Sequence, residues 1–367
     1  MLLNKETFSG TILLIALGFI LIIANTPLNS HYQTILNFPL ANKSLLFWIN
    51  DGLMAFFFLL LALEIKREIL IGELRHPAQV MLPIAAACGG VIVPALIYFI
   101  IAGHHSAELA RGWAIPVATD VALALGLLSL LGKRVPVGLK IFLAVLAIAD
   151  DLIAIIIIGF FYTEHVVYGY LLLALAGVAI LILLNFLGVT KLIVYLLLGL
   201  LIWLAVLKSG IHPTLAGVMV GFCIPFLSLR KLEQILKPWV SFLILPLFVL
   251  ANAGVPIVQY QLTDLLQPLP VGIALGLFFG KQIGIFLAAG LLIKLGFARL
   301  PSQSTWGQLY GVAILAGIGF TMSLFISNLA FLGTSLDMLS RVGILAGSFC
   351  SAIIGLGVLY FNKKSGN

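Results

Sequence analysis

Charge is what this sequence has least of. Only 9% of its 367 residues are Asp, Glu, Lys or Arg, against 62% hydrophobic, where a soluble domain carries about a quarter charged residues. That shortage excludes an ordinary soluble globule and points to an all-α polytopic membrane protein. Cysteine is scarce too. Cys88, Cys223 and Cys350 stand far apart inside apolar segments without metal-type spacing, so free buried thiols are expected. No Gly-Ser linker, low-complexity run or lipidation motif breaks the chain. No A-x-A-like cleavage site follows the first apolar run, 11–24, so it reads as a retained helix and not a signal peptide. The net charge of +7 lies in certain loops, where it sets membrane orientation and implies no nucleic-acid partner.

Long apolar runs are what the chain has in abundance. A bilayer-crossing helix needs about 20 mostly apolar residues. Twelve such segments are predicted, near 10–27, 45–64, 78–102, 112–131, 137–161, 166–186, 190–207, 211–228, 236–254, 271–294, 306–330 and 338–361. They follow one another closely, so residues 1–367 read as a single integral membrane domain embedded in the lipid bilayer. Basic residues test the count. With both termini cytoplasmic, 15 of the 20 Lys and Arg fall on the cytoplasmic side, from Lys5 through Lys66, Arg67, Arg230 and Lys231 to Lys363 and Lys364. Only Lys43, Arg111, Lys208 and Arg341 fall outside, and Lys281 lies within a span. A miscounted helix would scramble that asymmetry.

Two of these segments are weakened at mid-depth. In "GWAIPVATDVALALG" (112–126), Pro116 removes a backbone donor just before Thr119 and Asp120. In "LYGVAILAGIGFTMSLF" (309–325), Gly311, Gly317 and Gly319 loosen the same depth. Each is the middle member of a trio, spans 3–5 and 10–12, and the trios start on opposite sides of the membrane. That arrangement predicts inverted repeats with two discontinuous helices crossing near the midplane.

The few charges inside spans share one level. Asp120, the doublet Asp150 and Asp151 in "AIADDLIAIIII" (147–158), and Lys281 all lie near the middle of their segments. A charge at the bilayer centre costs about 2.5–3.5 kcal/mol on insertion scales, so such groups face a protein interior or a watery cavity and mark a functional site. Neighbouring helical residues point about 100° apart, so the two doublet carboxylates face different partners. One can meet Lys281. The other can look into a cavity beside the broken helix, where the Thr119 hydroxyl and unwound carbonyls add hard oxygen ligands suited to a small hard cation. A half-dry carboxyl can bind a proton or Na+ but not both, and competition at one site combined with alternating access gives exchange.

Further motifs carry a resemblance. "FWINDGLMAFFFLLLALEIKREIL" (47–70), "GWAIPVATDVALALG" (112–126), "LKIFLAVLAIADDLIAIIII" (139–158), "SGIHPTLAGVMVGF" (209–222), "GKQIGIF" (280–286) and "AGIGFTMSLFI" (316–326) resemble the NhaA-type bacterial sodium/proton antiporters, in the family's order and over nearly the whole chain. The resemblance implies an electrogenic antiporter of the bacterial inner membrane. It would extrude Na+ or Li+ for more than one proton, serving pH and sodium homeostasis, with no enzymatic activity and no resident cofactor. Asp151 would be the principal ion and proton carboxylate, Asp150 its neighbour paired with Lys281, and Asp120 with Thr119 would sit at the helix crossing. Na+ would bind at Asp151 and Asp150 with Thr119.

The resemblance also assigns pH regulation to Glu64, Glu68 and His212. From the residues alone, Glu64 and Glu68 fit a salt-bridged helix end equally well, and His212 beside Pro213 fits a capping or interfacial histidine. Asp51, inside the outer edge of its span, could line an exit path. Members of the family carry a longer excursion between the first two spans, forming a β-hairpin used in dimer contacts. Here the connection 28–46 is short, which counts against the hairpin and weakens any homodimer. Two other classes use buried acids. An intramembrane aspartyl protease needs two carboxylates sharing a proton, usually in YD and GxGD settings, whereas this chain has "ATD", "ADD" and a lysine. A cation channel favours symmetric rings of charge over one asymmetric cluster.

Overall fold

Apolar runs this long have one economical backbone solution, since a helix satisfies its own amides. The computed structural model describes residues 2–75, 77–163 and 165–362, and in it these runs are helical. Lys363 and Lys364, counted above among the cytoplasmic charges, lie outside the described residues. Among the described residues ten helices are long and apolar enough to cross a membrane: Thr7–Ala24, Leu45–Ile71, Val80–Gly103, Ala107–Leu130, Val137–Phe161, Tyr168–Phe186, Leu192–Ser209, Phe226–Gln259, Pro268–Lys294 and Leu336–Phe361. Trp306–Leu315 and Phe320–Phe331, bent by 41° at the break between them, are long and apolar enough only when taken together. The segment predicted at 211–228 differs. Its helix, Leu215–Cys223, has nine residues and rises about 14 Å, short of a bilayer core. Pro213 and the turn at 211–214 delay its start, and Ile224–Pro225 ends it.

Large apolar side chains cover the outside. Phe160, Phe186 and Leu227 are each more than 80% exposed, surface that water would not tolerate over such an extent and a bilayer covers. This is a multi-pass membrane protein. The same logic corrects the thiols: Cys223 is buried, but Cys88 and Cys350 are exposed, because an outward helix face in lipid is as apolar as the interior.

The chain divides into two compact units. The first comprises Met1–Asn29, His76–Ala154 and Asn252–Asn367. Here Pro77–Tyr98 packs directly on Lys281–Lys294, backbone against backbone. A Cβ on Gly284 would overlap the Gly89 carbonyl, and one on Gly89 would overlap the Gly284 carbonyl. Gly280 meets Pro94 in the same way. Glycine is required there because small residues alone let transmembrane backbones touch. Immediately before Lys281, Gly276–Gly280 forms a π-helical turn, which inserts a residue and re-aims the side chains that follow. Arg341 was counted among the outer charges, yet it is buried. Its guanidinium forks onto Asp337 (2.9 and 2.8 Å) and donates to the Asn252 carbonyl at 2.8 Å.

The second unit comprises Ser30–Arg75 and Ile155–Ala251. Its core gathers Leu59, Leu63, Leu181, Tyr195, Trp203 and Val206. A Cβ on Gly217 would overlap the Ala55 carbonyl, so the short helix lies close against Met54–Ile71. The connection 28–46 does contain a hairpin, against the sequence reading. Pro39–Leu40 pairs antiparallel with Lys43–Ser44, closed by Ala41 (φ 50°) and Asn42 (φ 65°). Two residues with positive φ make the tightest hairpin turn, so a short connection suffices.

The glycine seam gives a direct test. Gly284→Val should force Pro77–Tyr98 and Lys281–Lys294 apart and destabilise the protein by about 1–3 kcal/mol or more. Gly18→Ala, where among the described residues nothing beyond its chain neighbours and its own helix backbone lies within 4 Å of the new methyl, should change little; unfolding in detergent compares the two.

Candidate functional site

The site begins with two interruptions in backbone regularity. Arg111–Val117 is a 3-10 segment ending just after Pro116. Ala118 and Asp120 are extended, and the α-helix resumes at Val121. In the second segment the helix stops at Leu315 and restarts at Phe320. Both Gly317 and Gly319 lie in this gap, where a Cβ would overlap Ser351 and Leu277 at the first and Ser323 at the second. The two gaps touch: the Asp120 amide donates to the Ile318 carbonyl at 2.6 Å.

Asp120 holds two helix N-termini at once. Its Oδ1 accepts the Leu123 amide at 3.0 Å, capping Val121–Leu130. Its Oδ2 accepts the Thr321 amide at 3.0 Å and the Thr321 hydroxyl at 2.5 Å, at the start of Phe320–Phe331. Carboxylates belong at such places, since the first amides of a helix are unpaired and carry partial positive charge.

One residue earlier, Thr119 reaches the aspartate doublet. Its hydroxyl is 2.7 Å from Asp150 Oδ2 and 2.8 Å from the Ala316 carbonyl oxygen, and donates to one of them at a time. Asp150 Oδ2 also accepts from Lys281 Nζ at 2.5 Å, with both side chains fully buried. Asp150 Oδ1 has no hydrogen-bond partner among the described residues. Asp151 follows on the same helix, Val137–Phe161, and is 2% exposed. Among the described residues no three His, Cys, Asp or Glu converge as a metal centre. The donors are carboxylates, a hydroxyl and carbonyls: hard oxygens for a small cation.

Thus Thr119, Asp150 and Lys281 are joined in one bonded network, with Asp151 next to Asp150 in the chain and Asp120 next to Thr119. Glu64, Glu68 and His212 lie in the other unit. Glu64 accepts from Lys237 at 3.0 Å. Glu68 pairs with Arg67 at 2.9 Å and accepts the Glu73 amide, and Arg67 also faces Glu233 at 3.5 Å. His212 lies between Asp51 (Nε2 to Oδ1, 3.3 Å) and Thr214 (Nδ1 to Oγ1, 2.8 Å). The sequence reading missed Thr321. A threonine two residues past Gly319 at a helix restart was the available signal. It also missed the Ala316 carbonyl, which no side-chain pattern reveals.

Asp120→Ala would strip both helix starts of their acceptor. A loss on the order of 2–4 kcal/mol is expected, with Thr321→Val costing about 1 kcal/mol. The double variant should lose less than the two combined, as measured by unfolding in detergent.

Comparison with known proteins bears on what such a site serves. The family model described as Na+/H+ antiporter 1 matches residues 1–359. A protein of Pseudomonas putida (strain GB-1), "Na(+)/H(+) antiporter NhaA", is 51% identical over 96% of this chain and 94% of its own length. "Na(+)/H(+) antiporter NhaA 2" of Pseudomonas syringae pv. syringae (strain B728a) is 52% identical over 96% of this chain and 92% of its own. A Yersinia pestis (strain Angola) protein of the first name is 49% identical over 97% of this chain and 94% of its own. With the match running almost end to end, the chain belongs to the Na+/H+ antiporter 1 family.

Proposed function

We propose that this chain extrudes cytoplasmic Na+ or Li+ in exchange for more than one external proton, serving pH and sodium homeostasis in a bacterial inner membrane. The observation that carries the reading is the fully buried Thr119–Asp150–Lys281 network with Asp151 next to it. Relatives named as Na+/H+ antiporters at about half identity support the same substrates. The chain is a transporter with no catalytic residue and no resident cofactor, and both compact units make one antiporter domain.

In the proton-loaded state Asp151 holds a proton, and Asp150 is neutralised by the Lys281 ammonium. Arriving Na+ binds the two carboxylates, with the Thr119 hydroxyl as a further oxygen ligand. Asp151 releases its proton, and the ammonium, losing its counter-charge to the cation, releases another. Two protons leave for one Na+, so the loaded site changes by one net charge and transport is electrogenic. Asp120, engaged at two helix starts, keeps Thr119 in place through the cycle.

The membrane arrangement we propose is twelve crossings with both termini cytoplasmic, spans 3–5 and 10–12 being inverted repeats. The 15-to-4 split of basic residues supports it, and the short 211–228 segment then crosses partly as turn. Spans 4 and 11 are the discontinuous helices, supported by backbone gaps that meet at the Asp120–Ile318 bond. Glu64, Glu68 and His212, each already paired, adjust activity with pH. The minimal hairpin at Pro39–Ser44 leaves a homodimer weakly held.

Everted membrane vesicles with an imposed proton gradient test the exchange. Added Na+ should collapse the gradient with wild type. Purified wild type should release protons on Na+ addition, and Asp151→Asn should lose this response at least about tenfold. Lys281→Gln should lose charge movement; full exchange with unchanged charge movement would remove the lysine from the mechanism.

A further inference from the structure

Oxygen atoms crowd Gly317 from three directions. A Cβ there would lie 2.5 Å from the Leu277 carbonyl oxygen, 2.5 Å from the Ser351 hydroxyl and 3.0 Å from the Ile314 carbonyl oxygen. Ser351 is fully buried on Leu336–Phe361, and its hydroxyl has no hydrogen-bond partner among the described residues. Buried serines nearby are engaged. Ser323 donates to the Ile115 carbonyl at 2.7 Å, Ser327 and Ser340 share a bond of 2.5 Å, and Ser348 accepts the Phe320 amide at 3.2 Å. A helical serine usually bonds back to the preceding turn, and Ser351 does not. Leaving a buried hydroxyl without a partner is a desolvation cost that alanine would avoid. Packing therefore gives no reason for a hydroxyl here.

Its position supplies one. Gly317 follows Ala316, whose carbonyl meets Thr119, and Leu277 lies in the π turn that precedes Lys281. We infer that the Ser351 hydroxyl is a further oxygen ligand for the transported monovalent cation, or for a water it retains, at the 316–319 break. A neutral hydroxyl beside unwound backbone is the hard, uncharged donor that Na+ and Li+ accept. It also adds no charge to a site whose charge is already set by Asp150, Asp151 and Lys281. The inference rests on the antiporter reading above.

Wild type, Ser351→Ala and Ser351→Cys, reconstituted into vesicles, give the test through apparent KM and kcat for Na+ and Li+, with melting temperature recorded alongside. Both variants should melt no lower than wild type, because no bond is lost. Both should raise the KM for Na+ by about threefold or more with kcat within about twofold. An unchanged KM in both variants overturns the inference. So does a raised KM accompanied by a lower melting temperature, since the serine would then be a packing group. Absence of Na+-dependent exchange in wild type would instead overturn the antiporter reading, and this inference with it.

Discussion

The carboxylate of Asp120 is the fixed point of the molecule. Two helices begin in the middle of segments apolar enough to cross a bilayer, and each exposes amides that have no helical partner and no lipid partner. Asp120 accepts from both starts, and its own amide ties its gap to the other through Ile318. Without such an acceptor, neither interruption would be tolerable inside so apolar a segment. With it, the backbone is free to present Thr119 to Asp150 and the Ala316 carbonyl to Thr119.

The Lys281–Asp150 pair follows from the same frame. A buried ion pair is seldom a gain over apolar packing, because desolvation of both charges offsets their attraction. Several features of the chain are arranged to bring these two together all the same. The π turn at Gly276–Gly280 re-aims the lysine, and Gly89, Gly280 and Gly284 let its helix lie directly on Pro77–Tyr98. Such investment in placing one ammonium against one carboxylate fits a site whose protonation changes in use. By contrast, Arg341–Asp337 binds three chain segments together and has every guanidinium contact one expects of a structural pair.

Much of this was readable beforehand, for definite reasons. Apolar runs and basic flanks reveal spans because the bilayer penalises the alternatives, and eleven of twelve segments reappear as long helices or a bent pair. The exception, 211–228, is apolar along its length, but Pro213 and Pro225 leave only nine helical residues between their turns. Intramembrane charges reveal themselves by scarcity, which is why Asp120, Asp150, Asp151 and Lys281 stood out. The hairpin was misjudged because loop length was weighed and turn chemistry was not. Ala41–Asn42 closes it with two residues.

Sequence by itself determined the membrane class, the buried acids and lysine, the positions of the two interruptions and, through its motifs, the family. These depend on residue type and spacing along the chain, which a bilayer reads almost one-dimensionally. Residue spacing left open which aspartate takes the lysine, and only tertiary structure decided that Asp120 serves a second helix through Thr321 and that Ser351 points at Gly317. Those choices depend on the rotation of each helix about its axis. Neither helix rotation nor backbone carbonyls are written in a pattern of side chains.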